Sequence, residues 1–525
     1  MKNLTLDRVA AVMDRVRVAR GWRAGLIAAL AGAAAVLGHA PFHLWPVFAL
    51  AIMVLGLLVE GAGDEVRPLA AGFWRAWAFG FGHFLAGMFW IGHAFLVDAE
   101  KFAPLMPFAV SALPATLALF WGAAGALAAK WRRHDARQIA LLAGLLGLGE
   151  LARGTLFTGL PWNLPAYVWS PGGWISQAGA IVGPYGVSVL TLAVFLAPLH
   201  WRARGGRAAG ALAAGLVLLG VGHGIWRLNL PEPAPPGPMI AAGQAGFTQK
   251  EVWDPANRDR VIEGHLALLD APAARDADIV VLPEAAFPFL LLEQEPVIEA
   301  LAAKLGDRAL IVGAVRRDFD ARGERYHNSI LLLDAPGGVA RLRGLYDKHH
   351  LVPFGEYLPR RDLFERLGVD SLVAYASDMT PGPQPDLLSV PGAPDADARV
   401  CYEIVFPSFN DANRGRAGWI LNVSIDAWYG DALGPDQHFA QARWRAIEAG
   451  LPLVRAASGG WSGVVDARGR IVSATRAGPA LARGRLPGAM EITPFARFGW
   501  PMSAIIVVFT LSLSFFPRLT IDSRF

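Results

Sequence analysis

Ala398-Arg399-Val400-Cys401-Tyr402-Glu403-Ile404-Val405-Phe406-Pro407 carries the only cysteine among 525 residues. Cys401 therefore has no partner for an intramolecular disulfide or a Cys-rich metal site. It follows a short polar-then-apolar run, the setting of a residue at the end of a buried strand. A lone cysteine is more often an inert buried residue than a nucleophile, so its surroundings decide the reading. A thiol attacks only as thiolate, which requires a base or a positive field nearby.

Two other stretches offer such partners. Asp278-Ile279-Val280-Val281-Leu282-Pro283-Glu284-Ala285 is an apolar strand that stops at Pro283 and presents Glu284. Tyr346-Asp347-Lys348-His349-His350-Leu351-Val352-Pro353-Phe354-Gly355-Glu356-Tyr357 follows a hairpin signal and presents Lys348. Each residue has a bland reading as well: Glu284 as a solvated loop residue, Lys348 with His349 and His350 as a basic turn. The adjacent histidines point apart on an extended segment, and no nearby carboxylate has ligand spacing, so a metal site is not expected. Together, Glu, Lys and Cys at the ends of apolar runs suit acyl transfer. The Glu takes a proton, the Cys attacks a carbonyl, and the Lys with a backbone N–H stabilises the oxyanion.

Pro283-Glu284, Lys348-x-x-Leu-Val-Pro-Phe-Gly-Glu356 and Cys401-Tyr-Glu403, in this order, resemble the nitrilase superfamily. Set between membrane spans, they resemble its apolipoprotein N-acyltransferase family. The resemblance implies a four-layer α-β-β-α sandwich and a Glu284–Lys348–Cys401 catalytic triad. It implies that Glu356 positions the lysine and the base, that the Tyr402 N–H serves the oxyanion hole, and that Glu403 supports the same motif. Asn328 resembles a family asparagine near the site, with a strand-cap role as the alternative. Trp253 corresponds to a family tryptophan on an arm over the site, and otherwise reads as an ordinary exposed aromatic. Asp426-Ala427-Trp428-Tyr429-Gly430, then Gly434-Pro435-x-Gln437-His438, matches the same family and makes Trp428 a candidate lipid contact. Phe354, inside the lysine motif, is a candidate substrate contact. Two positions depart from the family pattern: Ile425, where Asn is usual, and Ser458-Gly459, where an Asn-containing pair is common.

Composition agrees with a membrane protein. Hydrophobic residues make up 54% and charged residues 18%, against about 25% charged in soluble proteins. Mean hydropathy is +0.36 and the pI about 9.3. The net charge of +4 is better explained by basic cytoplasmic loops than by nucleic acid, and no nucleic-acid partner is expected.

Residues 1–23 form a basic segment. Apolar stretches follow at 24–40, 44–58, 71–97, 105–129, 139–151, 174–199, 208–226 and 500–516. They read as eight spans, the one at 139 being short. A signal peptide competes for the first stretch, but further spans follow at once. Arg67, then Lys130, Arg132, Arg133 and Arg137, then Arg202, Arg204 and Arg207 lie in alternate connections. By the positive-inside rule both chain ends face the cytoplasm and the large segment after the seventh span faces outside. Arg75 and Glu150, inside apolar stretches, are expected to face the bundle interior or a membrane edge. The Pro- and Gly-broken run Thr158–Tyr167 reads as an interfacial loop, or as part of a lipid entry face.

The expected organisation is a seven-span bundle over 1–229, an inserted α/β domain over 230–492 beginning with a Pro-rich linker, and a final span with its tail over 493–525. The resemblance implies a ping-pong reaction in the bacterial inner membrane, with the catalytic domain periplasmic. The donor is a membrane phospholipid, expected to give the sn-1 acyl chain of phosphatidylethanolamine to Cys401. The acceptor is the α-amine of a diacylglyceryl-cysteine apolipoprotein. No cofactor or metal is implied, and the chain is expected to act as a monomer. The alternative is a membrane-anchored amidase acting on a soluble amide, which shares the triad but needs only one span.

Overall fold

The computed structural model describes residues 2–96, 100, 103–233, 237–321, 323–366, 378–407, 415–476 and 478–516. Val97, Pro235, Pro236 and the expected tail beyond 516 lie outside them. The chain divides into two compact units, one of Met1–Phe89, Pro104–Trp226 and Trp500–Phe525, the other of Trp90–Ala103 and Arg227–Gly499.

The first unit is helical. Every apolar stretch expected to span forms helix: Gly21–Ala35, Trp45–Ala62, Pro68–Met88, Met106–Lys130, Arg137–Thr155, Gly179–Leu196, Gly206–Leu228 and Trp500–Leu513. Among the described residues, six helices are long and apolar enough to cross a membrane. The last, at 14 residues, is shorter; it reaches about 21 Å, against a hydrocarbon core of about 30 Å. Arg137–Thr155 is diluted by Glu150 and Arg153, which pair with each other at full burial. Glu150 also accepts from the Trp121 indole, so the intramembrane charge is compensated and hydrogen-bonded. Arg75 is likewise buried, donating to Leu58 O at 2.7 Å and Ala19 O at 2.8 Å and pairing with Glu65. The basic segment contains a further helix, Lys2–Arg17.

The run Thr158–Tyr167 differs from the interfacial loop expected for it. Trp162, Asn163, Leu164 and Tyr167 are all buried, and Ala166 N–H donates to Ser188 Oγ at 3.0 Å. The aromatics that suggested an interface instead fill the interior of the helical unit.

The second unit is built on two six-stranded sheets. In chain order its strands are β1 Met239–Gln244, β2 Ile279–Val281, β3 Ala309–Asp320, β4 Gly323–Asp334, β5 Arg341–Asp347 and β6 Leu387–Leu388. There follow β7 Ala396–Val400, β8 Trp419–Ile425, β9 Leu453–Ser458, β10 Ser462–Val465, β11 Ile471–Thr475 and β12 Ala480–Arg485. One sheet runs β12-β1-β2-β3-β4-β5, the other β11-β10-β9-β8-β7-β6.

Residue parity sets the layers, because successive strand side chains face opposite sides. Ile279, Val281, Ile311, Ile330 and Leu332 join Val400, Leu421, Val423 and Val454 in one core between the sheets. The alternate residues Val280, Leu282, Leu310, Val312, Leu331 and Leu333 instead meet Leu268, Leu269, Leu301 and Leu305 of the helices Arg258–Asp270 and Glu295–Leu305. Helix Gly434–Ala449 covers the second sheet. Strands buried on both faces read as continuous apolar runs, as these do. This is the α-β-β-α sandwich that the family resemblance implied.

The short segment after helix Pro68–Met88 packs in this second unit. Trp90 Nε1 donates to Gln437 Oε1 at 3.2 Å, and its ring centroid lies 4.4 Å from that of Tyr429. His93 covers Gly430 so closely that a Cβ there would lie 2.6 Å from the imidazole.

Candidate active site

The three motifs end at one edge of the two sheets. β7 delivers Cys401, whose φ of +47° is unusual for a residue with a Cβ. Such a conformation costs of order 1–3 kcal/mol and persists only where its surroundings enforce it. Here Glu403 enforces it. Two residues into the short 3-10 turn Cys401–Val405, its carboxylate accepts from Val400 N–H at 2.7 Å. It also accepts from His349 N–H at 2.8 Å, His350 N–H at 2.9 Å and Tyr346 OH at 3.0 Å. One buried carboxylate therefore staples the cysteine turn to the lysine loop. Burial pushes its carboxyl up to about 7, against the opposing pull of the backbone N–H groups.

Glu284 leaves the end of β2 through Pro283. Gly313 of β3 passes directly behind it, and a Cβ on Gly313 would lie 2.3 Å from Glu284 Cα. Gly313 N–H donates to Pro283 O at 3.0 Å, and Ala286 N–H returns to Gly313 O at 3.0 Å. The Glu284 carboxylate accepts from Asn328 Nδ2 at 2.6 Å and from Ile425 N–H at 2.8 Å. The donor at 425 is a backbone group, so the departure from the family's asparagine leaves this contact in place.

Asn328 sits inside β4, where a strand-cap role does not apply. Its amide bridges two carboxylates, reaching Glu356 Oε1 at 2.8 Å as well as Glu284. Lys348 Nζ donates to Glu356 Oε1 at 2.9 Å and lies 3.7 Å from Glu284 Oε1. Val352 N–H fixes the other Glu356 oxygen at 2.8 Å. All four side chains are buried, with Lys348 only 1% exposed.

The charges explain the proton affinities. Burial pushes the Glu284 carboxyl up, with Glu356 adding to the rise and Lys348 opposing it. Burial pulls the Lys348 ammonium down, but Glu356 and Glu284 outweigh it and hold it well above the usual lysine range. Burial and the Glu284 charge push the Cys401 thiol up to about 12, Lys348 offsetting part of this. The sulfur is thus a protonated thiol at rest, inside the fields of both Glu284 and Lys348 (8% exposed, where the other two reach 4% and 1%).

The remaining candidates lie nearer the surface. Trp253 is 39% exposed at the end of the helix Gln249–Trp253. That helix contributes Gln249 and Val252 to a cleft beside Glu284, which Gly246, Phe247 and His265 also line. Phe354 is 50% exposed at a φ of +64°, on the loop that turns back to Glu356. Trp428 is partly buried on the turn Asp426–Tyr429 after β8. The Tyr402 ring packs edge-on against Phe406 at 4.8 Å. Among the described residues, no group of His, Cys, Asp and Glu side chains is placed to hold a metal ion.

A second buried polar cluster, around Asp426, was only partly visible in the sequence. Asp426 accepts from Ser424 Oγ at 2.7 Å and from Arg455 Nη2 at 2.7 Å, and His438 Nδ1 lies 2.8 Å from it. Burial would raise its carboxyl, but Arg455 and His438 outweigh that and hold it far below the ordinary range. The Asp426-to-His438 spacing was visible in the sequence. Arg455 comes from another strand and had no local signal.

Two family models match the chain: an apolipoprotein N-acyltransferase N-terminal domain over residues 31–197 and a carbon-nitrogen hydrolase domain over residues 240–480. An apolipoprotein N-acyltransferase of Allorhizobium ampelinum is 36% identical over 483 residues, covering 90% of each chain. One of Caulobacter vibrioides is 37% identical, covering 91% of this chain and 92% of its own. One of Rhizobium etli is 37% identical over 529 residues, covering 96% and 98%. Among solved structures, Saccharomyces cerevisiae Nit3, of the nitrilase superfamily, aligns with 55% of this chain and 97% of its own, at 18% identity and a TM-score of 0.34.

Proposed function

The chain belongs to the apolipoprotein N-acyltransferase family, and from that premise we propose how its residues carry the reaction. It is a membrane-embedded acyltransferase of lipoprotein maturation. The amidase alternative is not favoured, because the likeness to acyltransferases runs through the helical half as well as the sandwich.

In the proposed first half-reaction a membrane phospholipid presents the ester of its sn-1 acyl chain, with phosphatidylethanolamine the expected donor. Glu284 takes the thiol proton as Cys401 Sγ attacks the carbonyl carbon. Coupling these two events matters because the free thiol is so weakly acidic. Lys348, kept cationic by its carboxylate neighbours, and the Tyr402 N–H stabilise the oxyanion. The tetrahedral intermediate collapses, the glycerol oxygen leaves with the proton from Glu284, and a lysophospholipid departs from a thioester.

In the second half-reaction the α-amine of a diacylglyceryl-cysteine attacks the thioester carbonyl. Glu284 accepts the amine proton, the C–S bond breaks, and the thiolate is reprotonated to restore the thiol. An amide is formed and no cofactor enters the balance. Trp253, Phe354 and Trp428 are proposed to contact the acyl chains. The proposed setting is the bacterial inner membrane, with a periplasmic catalytic unit, both termini cytoplasmic, and a single chain sufficient. Anchoring suits the chemistry, since withdrawing an acyl chain from lipid costs about 0.8 kcal/mol per CH₂.

The observation that supports this reading most is the buried Glu284–Asn328–Glu356–Lys348 cluster beside a strained Cys401, in a chain whose full-length relatives are acyltransferases. Incubation with phospholipid labelled in its acyl chain tests it. The expected result is a hydroxylamine-sensitive label on the protein, absent in Cys401→Ala and discharged by a diacylglyceryl-cysteine peptide. A wild-type protein that never takes up label, yet hydrolyses soluble amides, would overturn it.

A further inference from the structure

We propose that helix Lys2–Arg17 is an interfacial anchor: it lies on the leaflet at one end of the helical unit, its apolar stripe facing lipid and its flanking arginines on anionic headgroups.

The placement begins with what fixes the last turn of this helix. Arg17 pairs with Asp64 at 3.6 Å, and a Cβ on Gly61 would collide with Arg17 O, so the turn is pressed onto the end of helix Trp45–Ala62. Arg75 holds the chain just beyond it through Ala19 O at 2.8 Å. Asp64 also pairs with Arg132, two residues past the end of helix Met106–Lys130. Trp22 is exposed at the start of helix Gly21–Ala35, with the Arg23 guanidinium 5.7 Å from its ring. Exposed tryptophans and arginines at the ends of apolar helices mark the level of the lipid headgroups. Helix Lys2–Arg17 is tied down at that level. It lies ahead of residue 31, where the match to the acyltransferase N-terminal domain begins.

The residue pattern says which side faces lipid. Successive helical residues turn by about 100°. Val9, Val12, Met13 and Val16 therefore share one side, with Arg8 and Arg15 on one flank, Arg17 on the other, and Asp7 and Asp14 opposite. Met13 and Val16, nearest the tied-down end, are half-buried, whereas Val9 and Val12 continue the same stripe at 52% and 57% exposure. Every residue from Asp7 to Val12 is exposed. A helix of this length is marginal in water by itself, so so exposed a stretch needs a further apolar surface to support it. Beside the ends of membrane-spanning helices that surface is the bilayer. The charges select its composition: residues 7–23 carry Arg8, Arg15, Arg17, Arg20 and Arg23 against Asp7 and Asp14. On an anionic leaflet the stripe sinks below the headgroups, the arginines meet phosphates and the aspartates stay in water.

The test uses the full-length protein in vesicles. Cys401 is the only cysteine, so Cys401→Ala gives a background in which a single new cysteine can be spin-labelled. Val12→Cys and Asp14→Cys are made singly in it, labelled, and reconstituted in equal parts phosphatidylglycerol and phosphatidylcholine. The expected result is that oxygen, which concentrates in lipid, relaxes the label at position 12, and that a water-soluble nickel chelate relaxes the label at position 14. In phosphatidylcholine alone, or with Arg8→Glu and Arg15→Glu added, nickel access at position 12 rises at least about fivefold, the factor that one basic residue near an anionic surface carries. Equal nickel access at the two positions in the anionic vesicles overturns the proposal. So does a label at position 12 shielded from both reagents, which would put a protein surface there. Nickel access that ignores both lipid charge and arginine replacement overturns it as well, since apolar contact alone would then hold the helix. Should either variant misfold, Val9→Cys and Asp7→Cys carry the same comparison nearer the start of the chain.

Discussion

Glu284, the proposed base, is also a buried group, and the two demands act in opposite directions with pH. Burial raises its proton affinity above the ordinary carboxylate value of about 4.3, so the folded protein favours its protonated form. Its contribution to stability is complete below the unfolded value and is lost as pH climbs through the raised one. Catalysis needs the ionised form and gains over that same interval. Thioester formation should therefore rise with pH above the usual carboxylate range while the melting temperature falls; Glu284→Gln should abolish the first trend and weaken the second, the remainder belonging to the raised Glu403 carboxyl. Stopped-time labelling and calorimetry on one pH series check this. Asn328 gives a sharper contrast. Its amide separates Glu284 from Glu356, so Asn328→Asp would set three carboxylates around one lysine. We expect at least a ~100-fold loss in the labelling rate, in the range of removing one preorganised donor from a transition state, and an ascending limb moved further toward alkaline pH.

Along the elements, Gly313 illustrates what the sequence could not announce. The strand Ala309–Val315 was legible from its apolar run, yet nothing local said that its glycine must clear the Glu284 backbone. Gly313→Ala should lower labelling by more than tenfold and destabilise the protein by about 1–3 kcal/mol through forced backbone shifts; labelling assays and denaturant melts read the two effects separately. The buried strands β1, β2, β8 and β9 could be read because both faces are covered and their runs are continuous. The hairpin β3–β4 extends through Arg316–Asp320 and Gly323–His327, where charged residues hid it, and ion pairs such as Arg317 to Glu293 and Glu324 now line it. β6, β11 and β12 show no such run: β6 is two residues long, β11 and β12 are half-exposed, and β12 becomes a strand only by pairing with the distant β1. At the site, Cys401, Glu284, Lys348 and Glu356 were legible because motif spacing marks them. Arg455 was not, because its partner Asp426 follows a separate strand and leaves no spacing to read.

Over the whole molecule, two kinds of buried charge hold very different surroundings in order. In the helical unit Glu150 and Arg153 neutralise each other within one turn. Glu150→Leu would leave a guanidinium without its counter-charge and should cost about 3–5 kcal/mol, with the double replacement Glu150→Leu, Arg153→Leu recovering most of it. Size-exclusion recovery of detergent-extracted protein after graded heating measures the difference. In the sandwich unit Arg468 gathers the chain leaving the seventh apolar helix, bonding Arg227 O, Leu230 O and Pro231 O at 3.1, 2.7 and 2.8 Å.

Trp90 carries a consequence for engineering. Its indole is a tile in the wall of the enzymatic half, although the ribosome delivers it some 140 residues before that half begins. A gene cut at the Pro-rich linker would therefore yield a sandwich with a missing tile over Tyr429. The sandwich is therefore no self-contained cassette: one block of its masonry is encoded ahead of it, inside the helical stretch of the gene.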